Sequence, residues 1–258
     1  MKKSDTSENC ASVQSPLREG NWVCGRNAVM ELFRSGRTVE KLYVQKDGEG
    51  SLKKILFLAK EKKIPVSHTD KAKLTAMTGG TFHQGVIAVA GQKEYASLED
   101  LFRIAEERGE APFFVLADGV EDPHNLGALI RCCEGAGVHG IIIPKAHAAG
   151  LTATAWKASA GAAEHLAVCR VSNLAQTLEI LKERGLWIYA CEADGQPYDK
   201  VDYKGPIAII LGSEGFGVSR LLKEKSDFVV SLPMRGKVNS LNVSCAGAII
   251  LYEAIKSR

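Results

Sequence analysis

The sequence predicts an α/β protein in which a small N-terminal α/β domain is followed by a larger α/β domain with a mostly parallel sheet. The length of 258 residues is sufficient for two domains. From Ala111 onwards, short and nearly continuous apolar strands alternate with helices, the pattern of a parallel sheet covered on both faces. The charge excess is confined to the N-terminal part: residues 20–93 hold 13 basic and 6 acidic side chains, whereas residues 112–258 hold 15 of each.

Four segments follow from these observations. Residues 1–19 are polar and lack periodicity, which predicts a disordered tail. Residues 20–93 form the small domain, and residues 94–111 form an acidic linker with a short helix. Residues 112–258 form the larger domain.

The elements of the first three segments follow from apolar spacing. Spacings of three and four predict helices, and alternation or short apolar runs predict strands. The expected order is a helix over 25–35, a strand over 39–44, a helix over 51–63, a strand over 64–68, a helix capped by Asp70 and ending at Gly79-Gly80, and a strand over 85–91. In the linker, Ser97 and Asp100 resemble a capping box, and Gly109 ends the helix.

The larger domain repeats the alternation of strand and helix. Strands are expected over 112–117, 140–144, 165–171, 186–192, 206–212 and 227–233, and helices over 125–135, 153–162, 173–184, 218–225 and about 241–256. Ligands of such sheets bind beyond the carboxyl ends of the strands.

Several classes of protein are excluded or disfavoured. No run of about 18 apolar residues predicts a membrane span, and no apolar stretch follows the first lysines as in a secretory signal, so the cytoplasm is the expected compartment. The seven cysteines and six histidines lack the spacing of a disulfide framework or a metal site, so no metal is expected. Gly135 to Gly140 matches G-x-G-x-x-G, but a helix precedes it and a strand follows, which disfavours a dinucleotide enzyme.

The positive charge of residues 20–93 points to a polyanionic partner such as RNA or DNA. The charge pattern also fits a lysine-rich helix face that is merely solvated. Charge alone slightly favours the solvated face and leaves the polyanionic partner as the alternative.

Three polar segments follow predicted strands at the ligand end of the larger sheet. The first runs from Asp118 to Arg131, where Asn125 is a candidate helix cap and Arg131 is suited to binding phosphate. The second, at 212–217, holds three glycines around Glu214, which permit close approach of a ligand to the backbone. The third, at 232–244, offers Asn239 or Ser240 as the cap of the last helix.

Together these segments resemble the SpoU/TrmH family of SPOUT methyltransferases. The matching motifs are N-x-x-x-x-x-R at 125–131, G-S-E-G-x-G-V-S at 212–219 and L-P-M-x-G-x-x-x-S-L-N-V-S at 232–244. In the small domain, GRNAVMELF (25–33) and HQGVIA (83–88) resemble the L30e-like substrate-binding domain of members that act on ribosomal RNA.

The resemblance implies a C-terminal trefoil knot that binds S-adenosylmethionine, and a homodimer. It implies that backbone groups of Gly212, Leu232 and Leu241 contact the adenosine moiety. The family's active-site positions are occupied here by Asn125, Arg131, Glu214, Ser240 and Asn242.

The implied reaction is 2′-O-methylation of a ribose in RNA, with a guanosine of 23S ribosomal RNA as the expected target. A guanidinium stays protonated in proteins. We therefore expect Arg131 to hold an RNA phosphate and orient the 2′-hydroxyl rather than to act as a base, and the proton acceptor, a phosphate or water, stays open. The alternatives are a transfer RNA ribose methyltransferase and a non-catalytic RNA-binding or ribosome assembly protein of the same fold.

Overall fold

The structure, a computed structural model, describes residues 22–46, 50–91 and 93–258. The expected disordered tail lies outside the described residues. The strands are β1 Trp22–Cys24, β2 Val39–Gln45, β3 Val66–Thr69, β4 Val86–Ala90, β5 Phe113–Asp118, β6 Gly140–Pro144, β7 Ala167–Val171, β8 Trp187–Pro197, β9 Ile207–Gly212 and β10 Phe228–Ser231. The helices are α1 Arg26–Arg34, α2 Ser51–Glu61, α3 Lys71–Met77, α4 Leu98–Arg108, α5 Pro123–Gly135, α6 Ala153–Ala158, α7 Leu174–Glu183, α8 Arg220–Lys225 and α9 Val243–Ala254.

The N-terminal sheet has the strand order β1-β4-β2-β3. Strand β2 pairs in parallel with β3 and antiparallel with β4. The sequence did not predict β1, because three residues are too few to show a period. Its partner decides its conformation, since Trp22, Val23 and Cys24 pair with residues of β4.

The C-terminal sheet has the strand order β10-β8-β9-β5-β6-β7, and every pairing within it is parallel. Alternate residues of β5 enter two different cores: Phe113 and Val115 pack on one face, and Phe114 and Leu116 on the other. Burial on both faces explains why these strands are continuous apolar runs. The predicted α/β class with a mostly parallel sheet is confirmed, while the knot stays a prediction.

Two predicted helix caps are wrong. Helix α5 is capped by Asp122, whose side chain accepts a hydrogen bond from the His124 amide at 2.8 Å, and not by Asn125. Helix α9 is capped by Asn242, and not by Asn239 or Ser240. Any short polar side chain can cap a helix, so the choice depends on where the chain turns.

Of two further predicted segments, the helix over 153–162 is shorter than expected and the turn over 135–140 is confirmed. The helix expected over 153–162 ends at Ala158, and a one-turn 3₁₀ helix follows at Ala162–Glu164. The Gly135–Gly140 segment is the predicted turn: α5 ends at Gly135, Gly137 has a φ of +72°, and β6 begins at Gly140. It therefore has no place in dinucleotide binding.

Helix α4, within the segment expected to be a linker, packs against the C-terminal sheet. Its Leu101 is buried, and a Cβ added at Gly140 would lie 2.4 Å from Leu101 Cγ. The adjoining Ala96 forms a parallel bridge with Cys169, next to the sheet edge. The acidic segment is thus held to the larger unit by direct contacts.

The N-terminal unit is fixed to the C-terminal unit around Trp156 of α6. The Arg37 guanidinium lies 5.1 Å from the centre of the Trp156 ring and pairs with Glu164 at 3.0 Å. The Lys93 ammonium donates to the carbonyls of Glu164 and Leu166 at 3.1 and 3.0 Å. Burial raises the pKa of Glu164 and lowers that of Lys93 to about 8. Buried ionic groups with several partners require a defined geometry, so these contacts fix the orientation of the two units.

None of the helices in the described ranges has the length and apolar character that a bilayer crossing requires.

Candidate active site

Three loops beyond the carboxyl ends of the C-terminal strands meet through an amide and carboxylate cluster. The side-chain nitrogen of Asn242, Nδ2, donates to Asn125 Oδ1 at 2.8 Å and also to Glu214 Oε1. Asn125 Nδ2 donates to the same Glu214 oxygen at 3.1 Å. The structure thereby brings together one residue from each of the three motifs, although Asn125 and Asn242 are 117 positions apart in the chain.

Asn242 also begins the last helix. Its Oδ1 accepts hydrogen bonds from the Ser244 amide at 3.0 Å and the Ser244 hydroxyl at 2.6 Å. The two polar atoms of one side chain therefore have different roles: the oxygen caps α9, and the nitrogen forms hydrogen bonds to Asn125 and Glu214. Because Asp122 caps α5, the Asn125 side chain is free to join this cluster.

The loop around Glu214 is closed by its glycines. Ser213 and Gly217 exchange backbone hydrogen bonds of 3.1 and 2.9 Å. A Cβ at Gly212 would lie 2.0 Å from the Gly217 carbonyl carbon, and one at Gly217 would lie 2.2 Å from Glu192 Oε1. A Cβ at Gly215 would meet nothing within 4 Å. Gly212 and Gly217 are therefore needed by the loop itself, and Gly215 alone is open for a ligand.

Two acidic residues that sequence reasoning missed anchor this loop. Glu192, in β8, accepts a hydrogen bond from the Val218 amide, and Asp118, the last residue of β5, accepts one from the Ser219 amide at 2.7 Å. Asp118 follows the apolar run of β5, and Glu192 follows the apolar first half of β8, so an acidic side chain directly after an apolar run was the available signal. Their carboxylates fix the far side of the loop that carries Glu214.

A cavity of about 320 Å³ opens beside the cluster. All three predicted cofactor-binding residues, Gly212, Leu232 and Leu241, line it. Apolar side chains such as Leu211, Phe216 and Ile250 form much of its wall, and Glu192 and Glu214 are the acidic residues that line it. Its size and its mixture of apolar walls with a few polar groups are typical of small-molecule sites.

The remaining predicted residues lie apart from the cluster. Ser240 lines the cavity and is exposed. Arg131 is exposed on α5, and within the described ranges no hydrogen bond or ion pair holds its guanidinium. Its neighbour Cys132 donates weakly to the Ser244 carbonyl at 3.7 Å, which places this turn of α5 beside the start of α9. Arg131 is therefore a free cation near the site.

The described residues contain no group of three His, Cys, Asp or Glu side chains arranged to hold a metal ion. Burial raises the pKa values of Cys132, Cys133 and Cys191, which disfavours the thiolate form that nucleophilic chemistry requires.

Comparison with known proteins agrees with this geometry. Residues 112–252 match the SpoU rRNA Methylase family, and residues 22–96 match the family described as RNA 2′-O ribose methyltransferase substrate binding. The chain is 45% identical over 243 residues to the TrmH family tRNA/rRNA methyltransferase YacO of Bacillus subtilis, covering 93% of this chain and 97% of that protein. A TrmH family tRNA/rRNA methyltransferase of Staphylococcus saprophyticus is 42% identical, with 92% and 95% covered.

Solved structures share the fold. The SpoU methyltransferase AviRb of Streptomyces viridochromogenes, solved in complex with AdoMet, has a TM-score of 0.76 at 23% identity, with 91% of this chain and 89% of that chain covered. The AdoMet-bound rRNA methyltransferase of Sinorhizobium meliloti has a TM-score of 0.74 at 22% identity, with 91% and 86% covered. The TrmH/SpoU tRNA modifying enzyme of A. aeolicus has a TM-score of 0.52 at 31% identity, with 62% and 83% covered.

The family profile spans more than half of the chain, and the relatives cover nearly all of it. The three motif loops that carry the resemblance are the loops that meet at the cavity. The chain therefore belongs to the SpoU family of RNA 2′-O-ribose methyltransferases.

Proposed function

We propose that this enzyme methylates the 2′-oxygen of a guanosine ribose in 23S ribosomal RNA. The observation that carries the methyl transfer is the junction of the three motif loops, through Asn125, Glu214 and Asn242, at the rim of a cofactor-sized cavity. Ribosomal RNA is favoured over transfer RNA because an rRNA methyltransferase aligns over 91% of the chain and a tRNA modifying enzyme over only 62%. The cytoplasm is then the proposed compartment.

The cofactor is S-adenosylmethionine, and the cavity fits it. The apolar side chains of Leu232 and Leu241 suit an adenine ring, and the acidic residues that line the cavity suit a cationic sulfonium. Backbone groups at Gly212, Leu232 and Leu241 would hold the adenosine part. When bound, the sulfonium supplies an already activated methyl group, so the reaction needs no metal ion.

The chain's own residues then position the RNA. Asn125, Glu214 and Asn242 keep the three loops in register, and the exposed Ser240 lies on the cavity rim where the ribose enters. Arg131 binds the phosphate beside the target ribose and directs the 2′-hydroxyl at the methyl group. The 2′-oxygen would form its new bond to the methyl carbon as the bond between that carbon and sulfur breaks, which leaves S-adenosylhomocysteine, and the hydroxyl proton would go to that phosphate or to water.

The two units divide this work. Residues 20–93 are proposed to bind the RNA, residues 94–111 to connect the units, and residues 112–258 to carry out the transfer. The N-terminal unit supplies the excess of basic side chains, and the substrate-binding family matches residues 22–96. A homodimer is proposed through the exposed side chains of α9, Cys245, Ile249 and Tyr252, which share one face of the helix.

The test is to map 2′-O-methyl groups in total RNA from cells with and without the gene. We expect one guanosine of 23S ribosomal RNA to lose its methyl group and to regain it when purified protein and S-adenosylmethionine are added to the unmethylated RNA. Loss at a transfer RNA position would replace the proposed target. An unchanged map together with no transfer in the purified reaction would contradict the activity.

A further inference from the structure

We propose that a second cavity, in the N-terminal unit, holds one unstacked nucleobase of the RNA substrate. Phe82 provides the stacking surface, and Arg26 and Lys71 contact the adjoining phosphates. The proposal rests on RNA being the substrate, and it adds a binding site separate from the cofactor cavity.

The cavity, of about 500 Å³, lies where one terminus of each of three elements meets the others. It is bounded by the start of α1, the end of β2 and the start of α3, together with the turn that leads into β4; its lining residues are Arg26, Gln45, Lys71, Thr75, Gly80, Thr81, Phe82, His83, Gln84 and Gly85. The volume is sufficient for a nucleotide. The two N-terminal motifs singled out in the sequence, at 25–33 and 83–88, meet here.

Hydrogen bonds hold one wall of this cavity in place. Gln84 has a φ of +52°, and Arg26 holds it from both sides: the Arg26 amide donates to Gln84 Oε1 at 2.8 Å, and Arg26 Nε donates to the Gln84 carbonyl at 3.1 Å. His83 accepts from the Gly85 amide at 3.0 Å. Strained backbone that is held by several contacts is common at binding sites.

Phe82 has no structural reason to face solvent. Its side chain is 63% exposed, although it is set between a glycine-rich turn and the buried His83. The ammonium of Lys157, from α6, lies 5.3 Å from the centre of the ring. An exposed aromatic ring close to a cation is a surface on which proteins stack unpaired bases.

The polar groups of the cavity suit a nucleotide. Lys71 is exposed, and no ion pair engages it or Arg26 in the residues that the structure describes. No Asp or Glu is among the lining residues. The side-chain amide of Gln45, unused by any hydrogen bond among those residues, can recognise the edge of a base.

Helix α6 connects this cavity to the reaction site. Lys157 on α6 faces Phe82, and the other side of α6 packs closely on α5, where a Cβ at Gly127 would lie 2.4 Å from the Ala155 carbonyl. Asn125, two residues before Gly127, belongs to the loop cluster. A base held at Phe82 is thus fixed relative to the ribose being methylated, through two helices in direct contact.

The test compares Phe82→Ala with Phe57→Ala in the full-length protein. Phe57, on α2 in the same unit, is 61% exposed but does not line the cavity, which makes it a matched control. The probe is a short single-stranded oligoribonucleotide, whose affinity is measured by fluorescence anisotropy. We expect Phe82→Ala to weaken binding by about 5- to 100-fold, since base stacking has this effect per aromatic ring. Phe57→Ala should bind as the wild type does, and Phe82→Trp should retain affinity.

A crosslink locates the base directly. A 4-thiouridine in the same oligonucleotide should crosslink within residues 80–85. Equal affinities for the two alanine variants, or a crosslink confined to other segments, would overturn the proposal. Neither assay includes methyl transfer, so a wrong methylation target would appear only in the RNA mapping, and a wrong base site only here.

Discussion

At the scale of single residues, the candidate site is held together by side chains that each form hydrogen bonds to two partners. Asn242 caps α9 with its oxygen and holds Asn125 and Glu214 with its nitrogen. Arg131 is the opposite case, a cation without a partner in the described ranges. We therefore expect loss of a side chain in the first group to affect both stability and methyl transfer, and loss of Arg131 to affect methyl transfer alone.

Replacing Arg131 should therefore slow methyl transfer without unfolding the protein. Loss of a charge-assisted contact at the reacting centre costs about 2–4 kcal/mol, so Arg131→Ala should lower the single-turnover rate by roughly 30- to 1,000-fold. Arg131→Lys keeps the charge but lacks the planar fork and should recover only part of the rate. Stability should change by less than about 0.5 kcal/mol. A wild-type rate, or a joint loss of stability and cofactor affinity, would remove Arg131 from the proposed mechanism.

Asn242→Asp separates the two roles of the capping residue. Aspartate caps helices as well as asparagine does, so α9 should keep its stability. The donor to Glu214 is replaced by a carboxylate oxygen, which repels Glu214 and should lower methyl transfer at least about tenfold. Asn242→Ala loses both roles and should also cost about 1 kcal/mol in the free energy of unfolding. Urea unfolding and single-turnover assays on both variants measure the difference; equal activity of Asn242→Asp and the wild type would contradict it.

At the scale of elements, parallel strands bring motifs that are far apart in the chain to one edge. Strands β5 and β9 are neighbours, and their last residues, Asp118 and Gly212, are paired in register. The segments that follow them carry Asn125, in the first turn of α5, and Glu214, in the glycine-rich loop. The carboxyl edge of a parallel sheet therefore brings the candidate site residues together, and the glycines determine how closely the loops can approach each other.

The glycine loop offers a matched pair of substitutions. Gly212→Ala places a Cβ 2.0 Å from the Gly217 carbonyl carbon and should cost about 1–3 kcal/mol of stability, with a loss of cofactor affinity. Gly215→Ala meets nothing within 4 Å in the protein and should leave stability within about 0.5 kcal/mol of the wild type. Calorimetric titration with S-adenosylhomocysteine and thermal unfolding provide the two measurements. Equal effects of the two variants would show that the loop adapts.

At the scale of the whole molecule, the two units share a buried junction. Trp156 is 2% exposed beneath the N-terminal unit, and the same contact encloses Arg37, Lys93 and Glu164. Deleting the N-terminal unit would expose this surface. Point variants in the full chain are therefore the sound way to separate RNA binding from methyl transfer.

Each unit contains a buried histidine whose neutral form the fold favours. Acid should therefore lower the free energy of unfolding. His83 and His139 each accept a backbone N–H at Nδ1, at 3.0 and 3.1 Å, and burial lowers both pKa values below the ordinary 6.5. The unfolded chain therefore takes up these protons first, so stability falls as pH drops below 6.5. The slope is at most about 1.4 kcal/mol per pH unit for each histidine.

Urea unfolding across this pH range measures the effect. His139→Gln should reduce the pH dependence, whereas the same change at His147, whose side chain is 90% exposed, should leave it unchanged. A pH dependence that is identical in the two variants would rule out this origin of acid sensitivity.

The proposed homodimer predicts the consequence of a charge on α9. Ile249 is 40% exposed on the face shared with Cys245 and Tyr252. Ile249→Lys should convert dimers to monomers in light scattering at micromolar concentration, because a buried, unpaired ammonium is costly. Leu221→Lys, at a residue 54% exposed on α8, is the control and should remain dimeric. A monomeric wild type with full activity would exclude the dimer.

Local patterns were sufficient for the α/β class, for most helices and strands, and for the motif loops at the ligand edge. Apolar period and turn residues act over a few positions, so they can be recognised without knowing what lies across the sheet. The resemblance of the motifs then indicated Gly212, Leu232 and Leu241, which line one cavity.

Long-range contacts decided the rest. The meeting of Asn125 with Glu214 and Asn242 spans 89 and 117 positions, and no local period encodes it. The caps of α5 and α9 depend on where the chain turns after β5 and β10, and the anchoring role of Glu192 depends on β8 lying beside β9. The cavity at Phe82, which we propose to hold a base, likewise exists only because α1, α3 and the turn before β4 meet in space. Hydrogen bonds and steric contacts are set by distances in the folded chain, and only the tertiary structure supplies those distances.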